Sequence, residues 1–142
     1  MVGPYGYCAD ISRTYVEGNK FSDKQKKLYS MAVEQIHHNA RLIKPGMSFK
    51  EFIEKSWVLP EEYYGNRYSV MVHGIGLCDE WPAIRYPTDG GERSGTFETN
   101  MTITVESYIG KVGGNEGVKL EQQYLVGKNN LELMSHHPLE KV

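Results

Sequence analysis

The chain has 142 residues, of which 39% are hydrophobic and 24% charged, with a formal net charge of −2 at pH 7; this is the balance of one globular domain over residues 1–142, not of a disordered segment. Lysine and arginine are scattered and no apolar run approaches 18 residues, so we expect neither a nucleic-acid surface nor a membrane span. Two cysteines, Cys8 and Cys78, and no export signal favour a reduced, cytoplasmic protein.

The first half of the chain is predicted to contain one strand and two helices. Alternating residue types indicate a strand over Tyr5–Val16. Ser22-Asp23 then begins a long helix, whose apolar residues repeat with a period near 3.6: Leu28, Ala32, Ile36, Ala40 and Ile43. A capping box at Ser48–Glu51 begins a second helix, which ends near Trp57.

The second half is predicted to be mainly strands. Short strands are indicated at Tyr68–Val72 and Trp81–Tyr86, and a polar, glycine-rich loop follows at Pro87–Thr99. Met101–Gly110 and Gly117–Gly127 form a hairpin, and a short polar tail closes the chain. A strand, two helices and then several antiparallel strands are typical of an α+β fold.

Two glutamates of this hairpin are the most informative residues of the sequence. If the hairpin turns midway between its strands, Glu106 lies directly opposite Glu121. Opposed like charges repel, and a buried carboxylate is costly unless it is paired or binds a metal. The pair therefore predicts a shared proton, a basic partner or a cation; the alternative is an exposed hairpin with two solvated glutamates.

Three more polar residues end or interrupt the predicted strands: Asp10, His73 and Asp79. Aspartate, histidine and two glutamates form a ligand set that suits Mn, Fe, Co or Zn, and bridging carboxylates favour a site with two metal ions. Each residue also has an ordinary alternative, such as a capping aspartate or a hydrogen-bonded structural histidine. Taken singly, each of these signals is weak.

Four motifs resemble the M24 "pita-bread" family of methionine aminopeptidase, aminopeptidase P, prolidase and creatinase: Tyr7–Thr14, His73–Leu77, Val105–Ser107 and Gly117–Glu121. The resemblance implies a curved antiparallel sheet with helices on one side and a dinuclear metal site. It assigns Asp10 and Glu121 as bridging ligands, His73 as the single histidine ligand and Glu106 as a terminal ligand. It also implies a homodimer of the full-length protein and a small-molecule substrate.

The family pattern includes another aspartate ligand ten to twelve residues before Asp10, a position that falls before Met1. We therefore expect residues 1–142 to be the C-terminal part of such a catalytic domain, with its N-terminal half and an upstream domain outside this sequence. On this expectation, the chain alone would bind metal poorly.

The loop after His73 separates two chemistries within the family. Proline-specific peptidases have a second histidine in this loop, which assists hydrolysis, whereas here the loop is one residue shorter and has Asp79 at that place. A carboxylate does not donate a proton at pH 7 unless its pKa is strongly raised. The same loop, with Tyr68 five residues before His73, resembles the DddP-type dimethylsulfoniopropionate (DMSP) lyases of the family.

The resemblance to the lyases implies that Asp79 removes the α proton of DMSP, giving acrylate and dimethyl sulfide. It implies that Tyr68 positions Asp79 or the substrate. It also suggests that the two divalent ions are iron, with Mn, Co or Zn as alternatives. A second hypothesis is an Xaa-Pro metallo-aminopeptidase or prolidase with the same ligands. A third is a degenerate pita-bread module that only binds, which would be expected to have lost metal ligands.

Overall fold

The computed structural model describes residues 2–77 and 79–139, which form an antiparallel sheet with helices packed on it. The helices are α1 (Asp23–Leu42), α2 (Phe49–Lys55) and α3 (Glu61–Tyr64). The strands are β1 (Val70–Gly74), β2 (Ala83–Arg85), β3 (Thr102–Gly110), β4 (Gly117–Val126) and β5 (Leu131–Leu133), in the order β2-β1-β3-β4-β5 with antiparallel neighbours throughout. The predicted α+β class is confirmed.

Helix α1 begins where the sequence predicts. The Ser22 side chain accepts a hydrogen bond from the Gln25 backbone N–H, and the Gln25 side chain accepts one from the Ser22 N–H, so two free amide groups of the first turn are satisfied. The predicted apolar residues Leu28, Ala32 and Ile36 are buried, and α1 packs against β3 and β4. The apolar face of α1 thus covers the central hairpin.

Successive side chains of a strand point to opposite faces, so β3 separates the core from the opposite side of the sheet. Ile103, Val105 and Ile109 belong to the core under the helices. Ser107, also buried, donates a hydrogen bond from Oγ to Gln35 Oε1 of α1 (2.6 Å). The even-numbered residues, including Glu106, lie on the face away from α1.

The hairpin has the predicted register. Glu106 pairs directly with Glu121, and this pairing continues without a bulge from Thr102↔Leu125 to Gly110↔Gly117. Only 3% of Glu106 and 2% of Glu121 is exposed, so the alternative of a solvated hairpin is wrong. The fold brings two carboxylates together inside the protein.

The predicted strand over Tyr5–Val16 is wrong. The segment contains a 3-10 turn at Pro4–Gly6 and runs beside β4 with a single ladder bridge, Ser12↔Glu121. The Thr14 hydroxyl takes the place of a backbone partner, donating to the Lys119 carbonyl (2.8 Å) and accepting from the Lys119 N–H (3.0 Å). Since a side chain uses these edge groups, a regular ladder does not form.

Smaller differences concern element bounds. His73 lies within β1 rather than after it, and β2 is shorter than the predicted strand at Trp81–Tyr86. Helix α3 and strand β5 were not predicted; β5 lies in the segment expected to be only a polar tail. In the described parts of the chain, no helix combines the length and apolar character needed to cross a membrane. Cys78 lies outside the described residues.

Candidate metal centre

His73 lies at the middle of the site and presents one ring nitrogen to the glutamate pair. Its Nδ1 is 2.9 Å from the Gly74 carbonyl oxygen, a contact that favours a proton on Nδ1 and leaves the Nε2 lone pair free. Nε2 is 3.4 Å from Glu106 Oε1 and 3.3 Å from Glu121 Oε1. One nitrogen and two carboxylate oxygens therefore converge from β1, β3 and β4.

The two carboxylates each have one oxygen held and one oxygen directed at His73. Lys119 Nζ binds Glu106 Oε2, and Ser12 Oγ donates to Glu121 Oε2 (3.0 Å). Within residues 2–77 and 79–139, the other oxygens, Glu106 Oε1 and Glu121 Oε1, are buried without a hydrogen-bond partner. Buried charged oxygens that lack partners are costly, and a divalent cation would satisfy both of them together with His73. The donor set therefore fits a metal ion.

Two aspartates also lie near the histidine. Asp10, His73 and Asp79 each offer a potential ligand atom, and these atoms lie within 4.8 Å of one another, as do those of His73, Glu106 and Glu121. Asp79 Oδ1 is 4.0 Å from His73 Nδ1, and about half of the Asp79 side chain is exposed. The structure thus gathers all five acidic and imidazole residues singled out in the sequence.

The electrostatics reflect this crowding. Burial and then repulsion from Glu121 raise the pKa of Asp10 above its ordinary value. Burial alone would raise the pKa of Glu121, but His73, Lys119 and Ser12 together lower it. Burial would lower the pKa of His73, but the Glu121 carboxylate and the Gly74 carbonyl raise it. Positive charge is favoured at the point where these side chains meet.

Tyr68 precedes β1 and is partly exposed beside the site. Its hydroxyl donates to Glu80 Oε1 (3.3 Å), and Lys119 Nζ lies 4.3 Å from the centre of its ring. The next residue of the loop, Trp81, is 62% exposed. The Tyr68 ring and the Glu80 carboxylate therefore lie beside the centre.

The loop that carries Asp79 is closed tightly onto β1. The Gly74 N–H donates to the Pro82 carbonyl (2.9 Å), so both ends of the loop meet at this residue. A Cβ atom at position 74 would overlap the Trp81 carbonyl oxygen, which explains the need for glycine. The path of the loop, and with it the reach of Asp79, depends on this contact.

Sequence analysis missed Lys119, Ser12 and Glu80 as partners of the site. Lys119 could have been found, because residues two apart on a strand share a face and the hairpin register places Lys119 diagonally across from Glu106. Ser12 and Glu80 lie in irregular segments, where residue spacing does not determine which side chains meet.

Comparison with known proteins agrees with this geometry. The family model described as "Metallopeptidase family M24" matches residues 1–128. The chain belongs to family M24. The family typically depends on two metal ions.

The chain is 36% identical, over 99% of its length, to "Dimethylsulfoniopropionate lyase DddP" of Roseovarius nubinhibens, of which it covers 32%. It is 34% identical, over 87% of its length, to "Xaa-Pro dipeptidase" of Pyrococcus horikoshii, of which it covers 34%. The chain therefore spans about a third of the length of these curated relatives.

Solved structures of family members share the fold. "Xaa-Pro dipeptidase from Bacillus anthracis" matches 96% of this chain and 37% of its own length, with a TM-score of 0.79 and 28% identity. "Prolidase from Pyrococcus furiosus" matches 95% of this chain and 38% of its own length, with a TM-score of 0.72 and 26% identity. These neighbours establish the pita-bread fold, of which this chain forms the C-terminal part.

Proposed function

We propose that the protein carrying this chain is a metal-dependent lyase that cleaves DMSP to acrylate and dimethyl sulfide. The observation that carries the proposal is Asp79, a half-exposed carboxylate beside His73 at the position where proline-specific peptidases have a histidine. The similarity to two DMSP lyases, at 36% and 35% identity over 99% of the chain, supports it.

The ligands that we propose for the metal ions are Asp10, His73, Glu106 and Glu121. Bound divalent cations supply electrostatic stabilisation for the negative charge that develops on the substrate carboxylate when its α proton leaves. Lys119 and Ser12 hold the outer oxygens of the two glutamates, so the inner oxygens stay directed at the site. Such outer contacts fix ligand orientation.

Asp79 acts as the general base in this proposal. Its carboxylate is exposed enough to meet a substrate, and a carboxylate is a side chain that can accept a proton. The C–H bond at the α carbon breaks as the proton moves to Asp79, the α–β double bond forms, and the β carbon–sulfur bond breaks to release dimethyl sulfide. Tyr68 shapes the site beside this base through its hydrogen bond to Glu80.

The open side of the centre suits a substrate with a cationic end. DMSP has a sulfonium group, and aromatic faces attract such onium groups. Trp81 is largely exposed and Tyr68 partly so. The carboxylate of Glu80, which directly precedes Trp81, accepts a hydrogen bond from Tyr68. These side chains are our candidates for contact with the sulfonium.

Iron as the metal, a homodimer as the assembly and the cytoplasm as the location complete the proposal. They rest on the resemblance to the family and on the reduced cysteines expected from the sequence. Elemental analysis of the purified protein and light scattering test the first two, and fractionation of the source cells tests the third.

A direct experiment separates the lyase from its main alternative. The purified whole protein, loaded with Fe²⁺ or Mn²⁺, is incubated with DMSP, and acrylate and dimethyl sulfide are measured by mass spectrometry and gas chromatography. Release of both products in equal amounts, dependent on metal, supports the lyase. Efficient hydrolysis of Xaa-Pro dipeptides with DMSP left intact would refute it.

Xaa-Pro dipeptide hydrolysis is the second candidate, because the proposed metal ligands suit either reaction. The relative from Pyrococcus horikoshii and the structure from Bacillus anthracis are both named as Xaa-Pro dipeptidases. An engineered Asp79→His variant tests how far the loop separates the two chemistries. Dipeptidase activity already present in the unchanged protein would favour this candidate.

A further inference from the structure

The segment that carries Asp10 is fixed to the sheet by few backbone contacts. The Cys8 N–H donates to the Gly76 carbonyl (2.7 Å), and the Glu121 N–H donates to the Ser12 carbonyl (3.1 Å). Because the segment does not form a regular strand, the place of Asp10 relative to Glu121 must be fixed by other groups.

One of these groups is the Arg13 guanidinium. It donates five hydrogen bonds, which equals the number of N–H donors that an arginine side chain has. The acceptors are four backbone carbonyls and one side-chain amide: Pro138 O (3.1 Å), Ser12 O (2.8 Å), Glu121 O (2.6 Å), His137 O (2.5 Å) and Gln122 Oε1 (2.5 Å). Arg13 therefore fixes the path of the main chain.

These acceptors belong to three separate parts of the chain. Ser12 lies two residues after Asp10 in the irregular segment, Glu121 and Gln122 lie in β4, and His137 and Pro138 lie in the segment after β5. A second contact joins the first and third parts, since Tyr15 Oη lies 2.5 Å from His137 Nε2. Arg13 is the point at which all three parts meet.

Because Arg13 joins these parts of the chain, it affects how two of the proposed metal ligands are placed. Asp10 and Glu121 are carboxylates that repel each other, and one is carried by the irregular segment while the other belongs to β4. Arg13 binds the backbone of both segments, at Ser12 and at Glu121, and none of its five hydrogen bonds goes to either carboxylate.

We infer that Arg13 is a positioning residue that sets the separation of Asp10 and Glu121, and so the affinity of the site for the metal ion that these two residues share. This inference rests on the metal ligands of the proposed function, but not on the substrate. Lysine cannot replace arginine here, because an ammonium group has three donors on a single nitrogen and cannot span acceptors in three segments.

The test uses the whole protein with Arg13→Lys, Arg13→Ala and, as a control, Arg93→Lys, whose guanidinium binds only the Pro87 carbonyl among the described residues. Mn²⁺ affinity and stoichiometry are measured by calorimetry. We expect both Arg13 variants to lose about 10- to 100-fold in affinity for one of two ions, with Arg93→Lys unchanged. Added methylguanidinium should partly restore the affinity of Arg13→Ala but not that of Arg13→Lys, whose side chain fills the site.

A metal-free measurement keeps the inference testable if the variants bind no metal for other reasons. Amide hydrogen exchange at Cys8 and Glu121 reports whether the Asp10 segment stays on the sheet, and we expect at least tenfold faster exchange in Arg13→Lys than in Arg93→Lys. Unchanged affinity and exchange in Arg13→Lys would overturn the inference. If the unchanged protein bound two ions but did not cleave DMSP, the proposed lyase activity would be refuted and the inference about Arg13 would still stand.

Discussion

Replacing Asp79 by asparagine tests the proposed base with almost no change in side-chain volume. Asparagine cannot accept the α proton, so we expect DMSP cleavage to fall by about 10²- to 10⁴-fold, the usual contribution of a positioned general base. This loss corresponds to about 3–5 kcal/mol of activation free energy. Because the side chain is about half exposed, its replacement should leave the free energy of unfolding nearly unchanged.

The structure also offers Asp79 a different role, and the same variant distinguishes the two. Asp79 Oδ1 lies 4.0 Å from His73 Nδ1, so the carboxylate could instead orient the histidine, as outer partners of metal ligands do. In that case metal affinity would fall by about 10- to 100-fold and activity would recover at saturating metal.

The assay therefore measures kcat for DMSP at several Fe²⁺ or Mn²⁺ concentrations, together with metal affinity. Glu54→Gln, which changes an exposed carboxylate on α2, is the matched control and should behave like the unchanged protein. Full activity of Asp79→Asn at saturating metal would remove Asp79 as the base.

Three further predictions concern the site and the core. Glu121→Ala should lose at least one of two bound ions as well as activity, because a bridging ligand serves both; full metal content by elemental analysis would contradict that role. Tyr68→Phe removes the hydrogen bond to Glu80 and should lower kcat by up to about 100-fold with metal content unchanged; an unaltered kcat would show that the hydroxyl is not needed. Phe97→Ala, at a fully buried ring that packs edge-to-face on Phe49 and Phe52 (centroids 4.9 and 5.7 Å away), should cost about 3–5 kcal/mol of unfolding free energy in urea titration, and a loss below 1 kcal/mol would refute tight packing there.

The hairpin could be predicted from sequence because both of its determinants are local. The strand period of two decides which residues share a face, and the glycine turn decides which residues pair, so Glu106 and Glu121 were placed correctly. Helix α1 was predictable for a similar reason, since its cap and its apolar period lie within one segment. In both cases the chain near each residue contains the necessary information.

The path of residues 5–16 was not predictable, because it depends on partners more than 100 positions away. Thr14 binds the backbone of Lys119, and Arg13 binds carbonyls near the end of the chain. Residue types alone indicated a strand there, but distant side-chain contacts replaced the backbone ladder. Strand β5, with three residues, was too short for its period to be recognised.

The closed loop between Gly74 and Pro82 has a consequence for how this scaffold could acquire new chemistry. Because its two ends meet at one hydrogen bond, residues Asp79–Trp81 at its outer end form a cassette open to exchange, whereas Ile75 and Gly76 must be kept, since they bind the backbone of Thr102 in β3 and of Cys8. The four proposed metal ligands lie outside the cassette, while Asp79, Glu80 and Trp81 lie inside it. Replacing the cassette by segments of different length would therefore vary the reacting group while the proposed metal ligands stay the same, provided that position 74 stays glycine.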